Sequence, residues 1–171
     1  IRRLVRNSGG TRCHKLNDEQ LSSEELRRIT FHVRINRPMS LFARCWLLVE
    51  GETEIWLLSE LANICGISLR GEGIRIIEFA QCGVSPLNKA ASDLGIEWHL
   101  LADGDQAGNK YASSVRALLR GEREHDRLTL LPARDIEHFL FQNGFAHVYT
   151  PCLKFRTSEK GDIGLGNASA R

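Results

Sequence analysis

Short apolar runs alternate with helical patterns four times between residues 45 and 142, and this rhythm constrains the fold more than any other feature of the chain. The first run, residues 45–49, is apolar throughout, as expected of a parallel strand that is buried on both faces. The pattern at 53–65 repeats apolar residues every three or four positions, which is typical of a helix with one buried stripe. Strands that alternate with helices in this way pair in parallel. We therefore predict a Rossmann-like α/β fold, with a four-stranded parallel sheet and helices on both faces.

The same reasoning places the remaining elements. Further strands are predicted at 74–79, 96–102 and 128–131, and further helices at 85–94, 109–119 and 135–142. Upstream, residues 1–16 predict a β-hairpin, and residues 19–32 predict a helix that Ser22 or Ser23 caps. We divide the chain into a segment that joins an upstream domain (1–40), the main domain (41–150) and a disordered tail (151–171).

The composition favours a globular protein outside the membrane. No apolar run approaches the roughly 18 residues that a membrane span needs, and the N-terminus lacks the apolar region of a secretory signal. The five cysteines lack the paired spacing of a zinc site, which favours reduced thiols and a cytoplasmic location. The chain opens on Ile1 and its one methionine is Met39, so we expect a fragment of a longer protein.

Carboxylates follow two of the predicted strands at the point where each strand ends. Glu50 comes directly after the first strand, and Asp103 and Asp105 flank Gly104 after the third. The carboxyl ends of parallel strands meet at one edge of a sheet, so we expect these side chains to converge. Clustered carboxylates repel one another unless a cation neutralises them, and oxygen ligands suit Mg²⁺ or Mn²⁺. The sequence therefore predicts a metal site for phosphodiester chemistry.

Other interpretations of these acidic residues remain open. Either aspartate could cap the following helix, and Glu52 and Glu54 favour a helix N-terminus through the macrodipole. A calcium-binding EF-hand loop is excluded, because Ala107 and Ser114 stand at its fifth and twelfth positions. Phosphatases of the haloacid-dehalogenase type also carry Asp-x-Asp after a strand, although Ala107 here replaces their usual threonine.

The two acidic segments together resemble the Toprim domain, which carries Val-Glu-Gly after its first strand and Asp-x-Asp after its third. The run from Leu41 to Glu54 is similar to the overcoming-lysogenisation-defect (OLD) family of ATP-dependent endonucleases, which join an ABC-type ATPase to a C-terminal Toprim nuclease. The resemblance covers residues 41–145. It implies a metal-dependent endonuclease that nicks or cleaves DNA with two Mg²⁺ or Mn²⁺ ions.

Individual roles can be carried over from this resemblance. It implies five metal ligands, of which the first and the two aspartates are also catalytic: Glu50, Glu54, Asp103, Asp105 and Glu137. It implies a glycine turn near the pocket at Gly83, and only Lys154 and Lys160 are available for the lysine that the family uses further along the chain. His138 could act beside Glu137.

Several side chains outside the acidic segments also have predicted roles. We expect three basic side chains that follow the Asp-x-Asp segment to contact DNA phosphates: Lys110, Arg116 and Arg120. We interpret His99 as a satisfied core or edge residue. The three tryptophans, Trp46, Trp56 and Trp98, are predicted in the core.

The expected partners are DNA and an upstream ABC-type ATPase domain of the same parent protein, with a homodimer as an option and no membrane. The ATPase itself is absent from this chain, since no Gly-x-x-x-x-Gly-Lys-Ser/Thr loop occurs. The first alternative function is a catalytically silent Toprim module that binds DNA or a partner. Such modules usually carry a cysteine zinc motif, which this chain lacks. The phosphatase is the second, less favoured alternative.

Overall fold

The computed structural model describes residues 1–119 and 121–150. Strands β1 (Arg2–Asn7) and β2 (Gly10–Lys15) form an antiparallel hairpin. Helix α1 (Ser23–Ile29) continues as a π-helical segment, Thr30–Asn36. The main domain then contains, in chain order, β3 (Cys45–Val49), α2 (Glu52–Ile64), β4 (Ile74–Glu78), α3 (Val84–Asp93), β5 (Glu97–Ala102), α4 (Gln106–Leu118), α5 (Glu124–Arg127), β6 (Leu128–Leu130) and α6 (Ile136–Leu140).

The four strands of the main domain form one parallel sheet in the order β4-β3-β5-β6, which confirms the predicted fold class. The chain moves from β3 to β4 in one direction, and from β4 to β5 and on to β6 in the other. Parallel crossovers are right-handed. Helix α2 therefore lies on the face of the sheet opposite to α3 and α4.

The two faces of the sheet are buried to different degrees. The face under α3 and α4 is the core: it carries fully buried Trp46, Leu48 and Leu100. Helix α2 has no fully buried residue. Trp56 lies on its outer side and is 72% exposed, so its predicted core position is wrong, whereas Trp46 and Trp98 are buried as predicted. The helical pattern in the sequence identifies the apolar side of the helix, but it does not predict how deeply that side is buried against the sheet.

Helix α1 is held by its cap and by a buried charge cluster. Ser22 accepts a hydrogen bond from the Glu25 backbone N–H at 3.2 Å, and the Glu25 carboxylate accepts one from the Ser22 N–H at 2.7 Å. This reciprocal pair is a capping box. Beyond the helix, Arg37 forms an ion pair with Glu78, the last residue of β4, and the His32 ring lies 2.9 Å from the Glu78 carbonyl oxygen.

One arginine fastens the hairpin to the main domain. The Arg3 guanidinium donates to four backbone carbonyl oxygens at 2.8–3.1 Å, those of Leu41, Ala43, Leu94 and Gly95. These carbonyls precede β3 and β5, so the hairpin sits at the amino edge of the sheet. No helix of the described residues is long and apolar enough to cross a membrane.

Candidate metal centre at the carboxyl edge of the sheet

The acidic side chains lie where the topology of the sheet creates a crevice. Strands β3 and β5 are neighbours, and the helices that follow them pass to opposite faces. Ligands of open α/β sheets bind at this kind of switch point, outside the carboxyl ends of the strands. Glu50 follows β3 and Asp103 follows β5. The two acidic segments, which are about 50 residues apart in the sequence, therefore meet at one place.

Two glycines shape the segment that carries Asp103. A Cβ at Gly108 would lie 1.8 Å from the carbonyl oxygen of Asp103, so only glycine lets the first turn of α4 pack on this backbone. A Cβ at Gly104 would lie 2.4 Å from the carbonyl oxygen of Ala133, to which the Gly104 N–H donates at 3.0 Å. Both glycines of the Asp-Gly-Asp-x-x-Gly pattern are therefore explained by close contacts with backbone atoms.

Two of the carboxylates also cap helices. An Asp105 oxygen accepts a hydrogen bond from the Gly108 N–H at 2.7 Å, which starts α4 at Gln106, three residues before the predicted start at 109. A Glu54 oxygen accepts from the Gly51 N–H at 3.0 Å, at the start of α2. The capping interpretation is therefore confirmed for Asp105, and the capping bond of Glu54 is an additional finding. Each bond uses one oxygen of the carboxylate, so capping and cation binding are compatible.

The electrostatics show that the acidic groups crowd one another. Burial, followed by the negative charges of Glu54 and Glu50, raises the pKa of Asp103 to about 6. Burial and the charges of Asp105 and Glu54 raise the pKa of Glu50. Both shifts arise because the ionised form is poorly solvated and repelled by its neighbours. A divalent cation would reverse both effects.

Asp135 belongs to this cluster, although the sequence prediction missed it. Its charge contributes to the raised pKa of Asp103. Asp135 caps α6 by accepting from the His138 N–H at 2.8 Å, and the His138 ring lies 2.6 Å from the same oxygen. The signal in the sequence was an aspartate between a strand and a helix, the position that Asp105 also occupies. Glu137 is exposed in the first turn of α6, and its assignment as a metal ligand stays a prediction.

The donor set fits a hard divalent cation in kind. Every acidic side chain of the cluster supplies oxygen ligands, and a divalent cation would neutralise their combined negative charge. Among residues 1–119 and 121–150, however, no three His, Cys, Asp or Glu side chains stand close enough to form a ready-made metal site. The charges of these carboxylates act on one another, and their side chains would have to move to complete a coordination shell.

Gly83 and His99 lie after β4 and within β5, in the elements that the sequence predicted for them. Gly83 follows β4 and adopts φ +84°, a conformation that favours glycine, in the turn that opens α3. His99 lies within β5, and its ring nitrogens contact the Asp126 carbonyl oxygen at 3.1 Å and the Thr129 hydroxyl at 2.9 Å. His99 is therefore a satisfied sheet residue, as predicted.

Two of the three residues predicted to contact DNA, Lys110 and Arg116, lie among the described residues. Lys110 is exposed on the first half of α4. Arg116 lies two turns further along and donates to Glu124 at 2.7 Å. Arg120, Lys154, Lys160 and the predicted disordered tail lie outside the described residues.

Comparisons with known proteins agree with this architecture. Residues 41–105 match the family model of the TOPRIM domain of overcoming-lysogenization-defect-like proteins. Residues 1–40 match a different family model, a protein of unknown function designated DUF2813.

One similar protein is much longer than this chain. "Uncharacterized protein YbjD" of Escherichia coli (strain K12) is 57% identical over 149 residues, which are 86% of this chain. The chain spans only 27% of the length of that relative.

Two solved structures share the fold. The C-terminal region of the Xanthomonas campestris pv. campestris OLD protein is 22% identical with a TM-score of 0.54, over 64% of this chain and 59% of that one. The C-terminal region of the Burkholderia pseudomallei OLD protein is 20% identical with a TM-score of 0.55, over 73% of this chain and 68% of that one. Residues 41–105 therefore match an OLD-like TOPRIM domain, and the sheet that contains them shares its fold with the C-terminal regions of two OLD proteins.

Proposed function

We propose that this chain is the nuclease domain of an OLD-like ATP-dependent endonuclease and that it nicks or cleaves DNA with Mg²⁺ or Mn²⁺. The observation that carries the proposal is the convergence of Glu50 and Asp103 at the switch point of the sheet, where burial and the neighbouring carboxylates raise the pKa of both. The same proposal includes a cytoplasmic location and an ATPase domain elsewhere in the parent protein.

The residues divide into three roles under this proposal. Asp103 and Asp105 would hold one cation, and Glu54 and Glu137 would help to hold a second beside Glu50. Bound divalent ions would supply an activated water and charge for the departing oxygen. Glu50 is also a candidate to accept a proton from the attacking water.

The decisive experiment is a nicking assay on supercoiled plasmid with Mg²⁺, Mn²⁺ or EDTA. We compare the wild-type chain with Glu50→Gln and Asp103→Asn, which remove charge with little change of shape. Glu60→Gln on the exposed side of α2 is the matched control. We expect metal-dependent nicking that falls about 100-fold or more in the two site variants and persists in the control. Equal nicking by Asp103→Asn and the wild type would contradict the proposal.

A catalytically silent Toprim module is the second candidate. It is favoured by the capping bonds of Glu54 and Asp105, which give both residues a structural role without a metal. It predicts that the wild-type chain binds DNA and does not nick plasmid with any divalent ion. A phosphatase would instead hydrolyse small phosphomonoesters and leave plasmid intact, so the same protein preparations separate the three functions.

A further inference from the structure

The basic charge of this chain is concentrated in its first hairpin. Among residues 1–16, five are basic and none is acidic: Arg2, Arg3, Arg6, Arg12 and Lys15. The other 155 residues carry 18 basic and 21 acidic side chains. A net charge of +2 for the whole chain therefore hides a strongly positive hairpin beside a slightly negative domain. A compact region of one sign attracts a partner of the opposite sign.

The arginines of the hairpin differ from the arginines near α4 in their partners. Arg116, Arg123 and Arg127 each form an ion pair with a neighbouring carboxylate at 2.6–3.0 Å. Their charge is largely neutralised within the protein. Arg2, Arg6 and Arg12 are exposed, and no carboxylate of the described residues pairs with them. The hairpin, rather than α4, thus offers unneutralised positive charge to an external partner.

The geometry of the hairpin suits a nucleic-acid surface. Arg2, Leu4 and Arg6 alternate along β1 and project from one face of the ribbon, so the two arginines stand about 13 Å apart. Leu4 is 71% exposed between them, and Phe42 is 77% exposed across a groove of about 520 Å³ that runs beside β1. A two-stranded ribbon of this kind fits the major groove of a DNA duplex.

The hairpin also has a fixed distance from the carboxylates. Arg3 holds it against the backbone that precedes β3 and β5, at the amino edge of the sheet. The carboxylates lie at the other end of β5, which has six residues. An extended strand of that length spans about 20 Å. A duplex that runs along the sheet would reach from one edge to the other within about six base pairs.

We propose that the β1–β2 hairpin binds the phosphate backbone of duplex DNA and holds it about 20 Å from the carboxylate cluster. This inference rests on the proposed function for its choice of polyanion. It assigns the binding surface to Arg2 and Arg6, because Arg12 lies opposite Val5 and projects from the other face of the ribbon. It thereby moves the surface away from α4. The contacts are to phosphates, so the hairpin binds without regard to base sequence.

The test measures binding separately from cleavage. Fluorescence anisotropy of a labelled duplex in EDTA gives the dissociation constant over a range of salt concentrations. We compare the wild type with Arg2→Gln/Arg6→Gln, and with Arg6→Gln alone as a milder variant. The control is Arg116→Gln/Arg123→Gln, which removes the same net charge from ion-paired positions. Circular dichroism verifies that each variant is folded.

The expected result is a loss of salt dependence in the hairpin variants. Each arginine that contacts a phosphate contributes about one unit to the slope of log K against log salt, so the double hairpin variant should lose about two units. Arg6→Gln should lose about one unit, and the control double variant should lose less than one. Equal losses in both double variants, or no loss in the hairpin variant, would overturn the inference. Binding to anionic vesicles by a wild type that does not bind DNA would also overturn it.

Failure of this inference and failure of the proposed function give different results. Asp103→Asn should bind the duplex with the wild-type slope, because the carboxylate cluster is not part of the hairpin. A wild type that binds through the hairpin and does not nick DNA would contradict the nuclease and leave the binding surface supported. A wild type that nicks DNA with unchanged salt dependence in the hairpin variants would do the reverse.

Discussion

At the scale of single residues, Asp103 combines burial with the repulsion of its neighbours. Its pKa of about 6 exceeds its ordinary value of 3.8, so the folded protein binds this proton more tightly than the unfolded chain does. Folding stability therefore falls as pH rises through the interval between those two values. A residue that destabilises the metal-free fold in this way is typical of functional sites.

We predict that Asp103→Asn stabilises the metal-free protein at pH 7.5. The variant lacks the charge that burial and its neighbours disfavour, and we expect a gain on the order of 1 kcal/mol after solvent screening. In thermal unfolding with EDTA this gain corresponds to a rise in Tm of about 2–4 °C. Below pH 4 the two proteins should have the same stability. A variant less stable than the wild type at pH 7.5 would show that Asp103 makes a favourable contact instead.

Gly108 offers a second test at the residue scale. Alanine at this helical position gains about 1 kcal/mol in helix propensity. Its Cβ would also overlap the Asp103 carbonyl oxygen at 1.8 Å, and such overpacking costs about 3 kcal/mol. The cost of the overlap exceeds the gain in helix propensity. Gly108→Ala should therefore lower the free energy of unfolding, measured in urea, by about 2 kcal/mol.

The matched control for Gly108 is Gly51→Ala. A Cβ at Gly51 would meet its nearest atom, a Glu54 carboxylate oxygen, at 3.6 Å, which is ordinary contact. Gly51 also has an extended backbone with φ −143° that any residue adopts. Its alanine variant should stay within about 0.5 kcal/mol of the wild type. An equal loss in both variants would contradict the steric explanation.

At the scale of elements, caps and anchors place the strand ends and the hairpin. Asp105 and Asp135 start α4 and α6 at the carboxyl edge, and both sit between a strand and a helix. The hairpin has no such local device and depends on Arg3. His14 of β2 also packs so closely on Gly95 that a Cβ there would lie 2.4 Å from the imidazole ring. The position of the hairpin thus depends on contacts far away in sequence.

We predict that Arg3→Met releases the hairpin without unfolding the main domain. The variant loses four hydrogen bonds from a charged donor, which we expect to weaken docking of the hairpin by about 2 kcal/mol. Hydrogen exchange of the β1 and β2 amides should accelerate at least about tenfold, while exchange in β3 and β5 stays unchanged. Arg2→Met, whose side chain is exposed, is the control and should not change either rate. Uniform acceleration across both sheets would mean that the hairpin and the main domain unfold together.

At the scale of the whole molecule, the two edges of the sheet carry opposite charge. The carboxylate cluster lies at the carboxyl edge and the basic hairpin at the amino edge, with the apolar core between them. The carboxylates need a cation and the hairpin needs an anion to be neutralised. The apolar core stabilises the fold without a bound cation or anion, so the protein should fold in the absence of metal.

We therefore predict that Mn²⁺ stabilises an already folded protein. At a Mn²⁺ concentration 100 times the dissociation constant, binding contributes about 2.7 kcal/mol, or a rise in Tm of about 5–10 °C. Glu50→Gln and Asp103→Asn should abolish most of this rise, and Glu60→Gln should keep it. Circular dichroism in EDTA should show a native helical spectrum for all four proteins. The same rise in Asp103→Asn would place the bound ion elsewhere.

The sequence by itself determined the elements of this protein and the identity of most candidate site residues. Periodicity predicted each strand of the main sheet within about two residues, because buried apolar runs between helices have few other structures open to them. The acidic residues at strand ends were visible for the same reason: parallel strands place their carboxyl ends together.

Only the tertiary structure decided which residues share an environment. It placed Asp135 near Asp103, left Trp56 exposed, and paired Arg116 with Glu124. Arg2 and Arg6 of the hairpin have no carboxylate partner within the part of the chain that the structure describes. Each of these facts depends on contacts between distant parts of the chain. Local sequence patterns cannot predict such contacts, because burial and charge pairing depend on how whole elements pack together.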